Sequence, residues 1–214
     1  MLRIFNPAIL LTLVPVFALS FDVYQEEANR LGDLMNWKPG QVIAEIGAGE
    51  GEMAFSAAAH VGAAGHVYAT ELDDNKLSHL NEEVKARKLE NVSVIKADSI
   101  DTNLAENCCD DIFMRRVYHH FQHPDQTDAS MFRALKPGGL LALIDFPPRR
   151  GLAPVEGVPK SHGGHGIPKN ILIEELRSAG FEIRTQQEGW PDHDYCIIAR
   201  KPVPPRYTVP PLPR

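Results

Sequence analysis

The ten residues from Val42 to Gly51, V-I-A-E-I-G-A-G-E-G, constrain this chain more than any others. Val42, Ile43 and Ala44 form a short apolar run without alternation, the pattern of a parallel strand covered on both faces. The run breaks at Gly47, Gly49 and Gly51, and a helical pattern starts near Met53 and continues through Phe55, Ala58 and Ala59. Glycines let the backbone adopt φ > 0 and approach a ligand closely. The first turn of the helix offers unpaired N–H groups at the same place. Strand, glycine turn and helix together open a nucleotide-binding α/β unit. Two common versions do not fit. A dinucleotide fingerprint needs a glycine where Glu52 stands, and a phosphate loop needs a Gly-Lys-Ser/Thr ending that is absent. What remains is acid-x-G-x-G-x-G, with Glu45 ahead of the three glycines.

The following segments read as further strand–helix units. His66 to Glu71 is a second strand ending in an acid. An ionised carboxylate at a strand end can accept both ribose hydroxyls of an adenosine ligand. NAD-binding folds use an acid there too, so Glu71 points to adenosine in general. Asp73 or Asp74 caps a helix through Leu77, Leu80 and Val84. Val92 to Lys96 is a third strand, followed by Ala97-Asp98-Ser99, where Asp98 is either a ligand contact or a turn former. Asp110 to Arg115 is the fourth strand, expected beside the first, and Arg116-Val117-Tyr118-His119-His120-Phe121 follows it. Pro124 opens a helix that Lys136-Pro137-Gly138-Gly139 breaks, and Leu140 to Phe146 is the fifth strand. Pro168 opens the last helix and Gly180 ends it. Phe181 to Gln186 and Asp194 to Arg200 read as a closing antiparallel pair.

The glycine turn, Glu71, Asp98, the Tyr-His-His segment and F-R-A-L-K-P-G-G before an apolar strand fall in one order. In that order they resemble the class I S-adenosylmethionine (SAM)-dependent methyltransferases, and among these the small-molecule enzymes of ubiquinone/menaquinone biosynthesis type. The resemblance covers roughly residues 38 to 200. It implies an α/β fold with a doubly wound, mostly parallel seven-stranded sheet, Rossmann-like, with an antiparallel C-terminal strand pair. It implies SAM as cofactor, held by Glu45, Gly47, Gly49, Gly51, Glu71 and Asp98, with Asp98 at the adenine amino group. It also implies a small-molecule methyl acceptor. The chain is shorter than the quinone enzymes and lacks the Asn-Pro-Pro-Tyr segment of amino-methylating nucleic-acid enzymes. The rival reading is a non-catalytic SAM- or nucleoside-binding module, tethered to a membrane or exported.

Methyl transfer from a sulfonium displaces a neutral, already activated leaving group, so alignment and desolvation are the main requirements. A base is needed only where the acceptor loses a proton. Tyr118, His119, His120, His162 and His165 are the available groups, and histidine titrates in the useful range. Two adjacent side chains do not easily enter one pocket, and His119 is expected nearer the acceptor. The long loop from Pro147 to Lys169 is expected to close over it.

At 214 residues the chain suits one domain. A net charge of −6 without a basic stripe argues against a general nucleic-acid binder. Cys108, Cys109 and Cys196 form neither a disulfide framework nor a zinc spacing, and no metal is expected. Residues 1–20 stand apart from the domain at 23–200. Arg3, an uncharged run from Ile4 to Phe21 and Ala18-Leu19-Ser20 have the layout of a signal peptide, with a membrane anchor as competitor. Either would make the protein periplasmic, secreted or membrane-associated through its N-terminus. Without that role the chain is cytoplasmic. Val23 to Trp37 reads as a helix, and the resemblance implies that it covers the cofactor, with Trp37 more a core residue than a ligand contact. The proline-rich tail, 201–214, reads as extended and exposed.

Overall fold

The computed structural model describes residues 16–205, with side chains from residue 23 onward. Seven strands form one sheet: β1 (Val42–Ile46), β2 (His66–Glu71), β3 (Val92–Lys96), β4 (Cys109–Arg115), β5 (Leu135–Asp145), β6 (Glu182–Gln187) and β7 (Tyr195–Arg200). Their order is β3-β2-β1-β4-β5-β7-β6. The first five pair in parallel, and β7 runs antiparallel between β5 and β6. Among the described residues the α-helices are α1 (Val16–Met35), α2 (Glu52–Val61), α3 (Asp74–Ala86), α4 (Pro124–Ala134) and α5 (Lys169–Ser178). This is the doubly wound sheet with the antiparallel pair that the residues implied.

The lack of alternation in β1 has the expected cause. Ile43 faces the cluster of Leu31, Phe55 and Phe113, while Ala44 and Ile46 face Tyr118, Met131 and Leu172. Each large side chain buried there contributes about 1.5–3 kcal/mol of hydrophobic stabilisation. From β1 the chain runs outward through β2 to β3 on one side, then crosses back to β4 on the other side of β1. The C-terminal ends of β1 and β4 therefore flank the switch point, where open α/β sheets bind their ligands.

Three elements differ in extent from the sequence reading. α1 begins at Val16 and runs through Ser20 without a break. It stops at Met35 because Asn36 turns left-handed, φ 56°, which asparagine tolerates. Second, β5 starts at Leu135, directly from α4, so Lys136-Pro137-Gly138-Gly139 lies inside the strand. The pairing with β4 jumps from Leu135 to Leu140, and the four residues form a bulge. Gly138, at φ 89°, supplies its bend and donates its N–H to Lys201 O at 2.8 Å. Third, residues 201–205 have no regular structure, yet Lys201 returns an N–H to Gly139 O at 3.0 Å. Most of the leader or anchor reading falls on residues 1–15, and most of the tail on 206–214, which lie outside the described residues. Among the described residues no helix is long and apolar enough to cross a membrane.

Candidate functional site

Each of the three glycines sits at positive φ: Gly47 at 69°, Gly49 at 57° and Gly51 at 89°. What surrounds them separates their roles. A Cβ on Gly47 would meet Val117 Cγ2 at 2.6 Å, and one on Gly51 would meet Phe55 Cζ at 2.5 Å and Leu80 Cδ2 at 2.7 Å. Those two glycines are required by packing. A Cβ on Gly49 would meet nothing within 4 Å. Its vacant side opens onto a cleft, which is the close backbone approach that a glycine permits.

The cleft has two lobes. One, of about 490 Å³, is bounded by Gly47, Glu71, Leu72, Asp98, Val117 and His120. The other, of about 690 Å³, is bounded by Tyr24, Glu45, Gly49, Glu52, Met53 and Arg115. Gly47, Lys76 and Arg115 border both. All six residues assigned to the cofactor thus line this one cleft.

Glu71 is 7% exposed and is held by three backbone donors. Gly49 N–H donates to Oε2 at 2.9 Å, and Leu72 and Asp73 N–H donate to Oε1 at 2.7 and 3.1 Å. The carboxylate therefore braces the glycine turn while facing the first lobe. Asp98 is exposed on the same wall, and its Oδ1 accepts from Asp101 N–H at 2.9 Å. It is a turn former and a cleft residue at once. Glu45 is buried, and its Oε2 has no partner among the described residues. Burial pushes its carboxyl well above the usual range, and the nearby Glu52 and Glu71 add to this.

Two cleft residues had not been singled out. Tyr24 of α1 borders the second lobe and lies under the Arg115 guanidinium, 5.0 Å from its ring centre. Arg115 Nε donates to the buried carboxylate of Glu27, also on α1, at 2.5 Å. α1 therefore covers the cleft as expected, through Tyr24 and Glu27. Trp37 packs instead against Phe113 and His60 as a core residue. The position of Arg115 at the C-terminal end of β4 was the available signal for it.

The residues after β4 diverge. Arg116 takes a left-handed φ of 55°, a strained value for a side-chain-bearing residue. It donates to Asp194 Oδ2 at 2.6 Å and Asp192 Oδ2 at 2.8 Å, and Arg149 donates to Asp194 Oδ1 at 2.9 Å. Asp194 so ties the loop after β5 to the end of β4. Tyr118 points away from the cleft into the α4–α5 core. Its hydroxyl lies 2.9 Å from Asp128 Oδ2 and 3.0 Å from Glu175 Oε2. One hydroxyl proton cannot serve two carboxylates, so a second proton is needed there. Burial supplies the reason by pushing Asp128 up to about 7. His162 is fully buried beside Glu175 and belongs to the same cluster. Neither Tyr118 nor His162 borders the cleft.

His119 is also buried, with Nδ1 2.8 Å from Asp145 Oδ1 and its ring against Phe146 at 4.6 Å. His120 is exposed and borders the first lobe, its ring centre 4.1 Å from that of His119. Burial lowers the His120 pKa, and His119 and His165 lower it further. His165 completes the group, 5.3 Å from His119, with Nδ1 on Ala153 O. Of the two adjacent histidines it is His120 that borders the cleft, while Asp145 holds His119 inward. No group of three or more metal-ligating side chains converges among the described residues.

Residues 44–143, from β1 through β5, match the methyltransferase domain family. The chain is 27% identical over 138 residues to the ubiquinone/menaquinone biosynthesis C-methyltransferase of Vibrio cholerae, covering 64% of this chain and 53% of that protein. A SAM-dependent methyltransferase from Aquifex aeolicus superposes with a TM-score of 0.70, at 23% identity, over 82% of this chain and 89% of that one. Geranyl diphosphate methyltransferase in complex with SAM superposes with a TM-score of 0.67, at 13% identity, over 83% and 85%. Across residues 44–143 the chain is thus similar to methyltransferase domains, and its fold is that of the SAM-dependent methyltransferases it superposes on. The match spans about half the length of the Vibrio relative.

The cleft fits SAM, the cofactor of the proteins the chain is similar to. The vacant side of Gly49 leaves room for a ligand against the backbone. Glu71 presents a carboxylate suited to a ribose diol, and the unpaired Glu45 oxygen suits an ammonium group. Glu71→Ala is expected to weaken SAM by about 1–3 kcal/mol, the cost of losing a charged hydrogen bond, and to loosen the glycine turn. Calorimetry and thermal melting would measure both, and unchanged affinity in a folded variant would remove Glu71 from the site.

A pH dependence follows from Glu45. The ammonium favours the ionised carboxylate, so binding lowers a pKa that burial has raised. Protons are then released on binding, and SAM affinity rises with pH until Glu45 is ionised in the free protein as well. Titrations in buffers of different ionisation enthalpy should detect that release in the wild type and lose it in Glu45→Gln. Equal proton release in the two proteins would place the effect elsewhere.

Proposed function

We propose that this chain is a methyltransferase that moves the methyl group of SAM to a small-molecule acceptor by in-line displacement. The observation that carries the reading is the open side of Gly49, lying between Glu45 and Glu71 at the switch point of the sheet. When bound, SAM supplies a methyl group on a sulfonium, which needs no further activation. Glu45, Glu71 and the glycine turn hold and orient the cofactor. α1 covers the cleft through Tyr24 and Glu27 and limits the entry of water. Where the acceptor must lose a proton, His120 takes it, with Asp145 fixing His119 beside it.

The experiment is transfer of labelled methyl from SAM to a metabolite extract, followed by identification of the product. A demethylated quinol belongs in the panel, because the Vibrio relative carries ubiquinone and menaquinone in its name. A labelled small molecule supports the reading, and persistent absence of transfer by SAM-binding protein supports a non-catalytic binding module instead.

We further propose that residues 1–20 direct export or membrane attachment, on the strength of Arg3, the uncharged run and Ala18-Leu19-Ser20. Intact-mass measurement on native protein is expected to show cleavage after Ser20, or recovery in the membrane fraction. A soluble chain starting at Met1 would contradict this.

A further inference from the structure

The neighbouring thiols Cys108 and Cys109 lie at the opposite end of β4 from the cleft and take no part in the chemistry proposed above. Their sulfur atoms are 2.9 Å apart. Cys109 is fully buried as the first residue of β4, whereas Cys108 is half-buried and precedes the strand. Cys108 therefore owes no ladder hydrogen bonds, and the pairing of β4 with β5 is already irregular between Cys109 and Asp111. Asn107, just before the pair, takes a left-handed φ of 51°. The backbone here is a turn joined to a bulge, where a local change of shape disturbs few sheet contacts.

We propose that Cys108 and Cys109 form a redox-sensitive modification site, closing to a disulfide between neighbours when a peroxide reaches Cys108. Cys108 is the attacking group, because it is the accessible sulfur of the two. The Cys109 sulfur within hydrogen-bond distance and the positive charge of Lys136 both lower its pKa and favour its thiolate. Attack on hydrogen peroxide cleaves the O–O bond, gives the Cys108 sulfenic acid and releases hydroxide. The Cys109 sulfur then displaces the sulfenic oxygen, forming the S–S bond, and the Cys109 proton leaves with that oxygen as water. Two electrons pass from the sulfurs to the peroxide, and a dithiol reductant reverses the change.

Geometry makes this bond labile. Neighbouring Cα atoms across a trans peptide are about 3.8 Å apart, shorter than the usual disulfide range of about 4.4–6.8 Å. A strained disulfide is more easily reduced than a structural one, which suits a reversible modification and not a staple. Cys196 is the internal control: it is fully buried in β7, and burial pushes its thiol up to about 12.

The test uses the full chain, treated with hydrogen peroxide, quenched, unfolded and alkylated. Untreated protein has three alkylatable cysteines. After peroxide only Cys196 is expected to react, with the Cys108–Cys109 peptide lighter by two hydrogens and restored by dithiothreitol. Cys109→Ser should stop at a sulfenic acid on Cys108 that dimedone traps, and Cys108→Ser should leave Cys109 reduced. Three reactive thiols after peroxide, a dimedone adduct on the wild type, or chains cross-linked through Cys108 would each overturn the proposal.

Discussion

Gly49→Val is expected to abolish SAM binding while leaving the sheet folded. The Cβ of that valine meets no protein atom within 4 Å. It projects into the cleft instead, into space the cofactor needs. Forcing a residue with a side chain into the left-handed region at φ 57° costs about 1–2 kcal/mol. For a domain of this size that lowers the melting temperature by about 2–8 °C. SAM affinity should fall by about 10²-fold or more, since no contact of the cofactor with the turn survives the overlap. The same substitution at Gly51 runs into Phe55 and Leu80, and at Gly47 into Val117. Those variants should lose stability before they lose ligand selectively. Calorimetry alongside thermal melting separates the two patterns. A folded Gly49→Val protein that binds SAM like the wild type would place the cofactor elsewhere.

His120→Ala is expected to lower turnover by about 10²- to 10⁴-fold, the range for removal of a general base, with SAM affinity nearly unchanged. The effect applies where the identified acceptor loses a proton during methylation. The pH profile adds a sign. A base must be neutral to accept a proton, so the wild-type rate falls on acidification through the His120 pKa. Burial and the neighbouring His119 and His165 hold that pKa below its ordinary value of 6.5, so the fall comes below pH 6.5. His120→Ala should show a low rate without that step. If instead His119→Ala removes the step and His120→Ala keeps it, the inner histidine carries the proton. If neither variant moves it, the pair only shapes the pocket.

The parts of this molecule that could be read from its sequence are those where one local requirement fixes the residue type. Gly47, Gly49 and Gly51 each need a positive φ, and the strand before them needs apolar residues on both faces. Glu71 and Asp98 announce themselves as acids at strand ends. Asp73 caps α3 as its position suggested, with Oδ1 accepting from Asn75 and Lys76 N–H. What escaped depends on contacts made far along the chain. His119 and His120 are adjacent, and only Asp145, twenty-six residues later, decides which ring turns inward. Tyr118 is claimed by Asp128 and Glu175 in the same way. The bulge in β5 arises because the backbone of Gly138 and Gly139 pairs with Lys201. The Lys-Pro-Gly-Gly composition alone reads as a helix stop. Arg115 becomes a cleft residue through α1, whose Tyr24 and Glu27 meet it across the sheet end.

The most direct test of the central claim is calorimetry of the wild-type protein with SAM, S-adenosylhomocysteine and NAD. The cleft built around Gly49, Glu45 and Glu71 should bind the first two and not the third, because Glu52 stands where a dinucleotide turn requires glycine. Binding of NAD with no binding of SAM would contradict it.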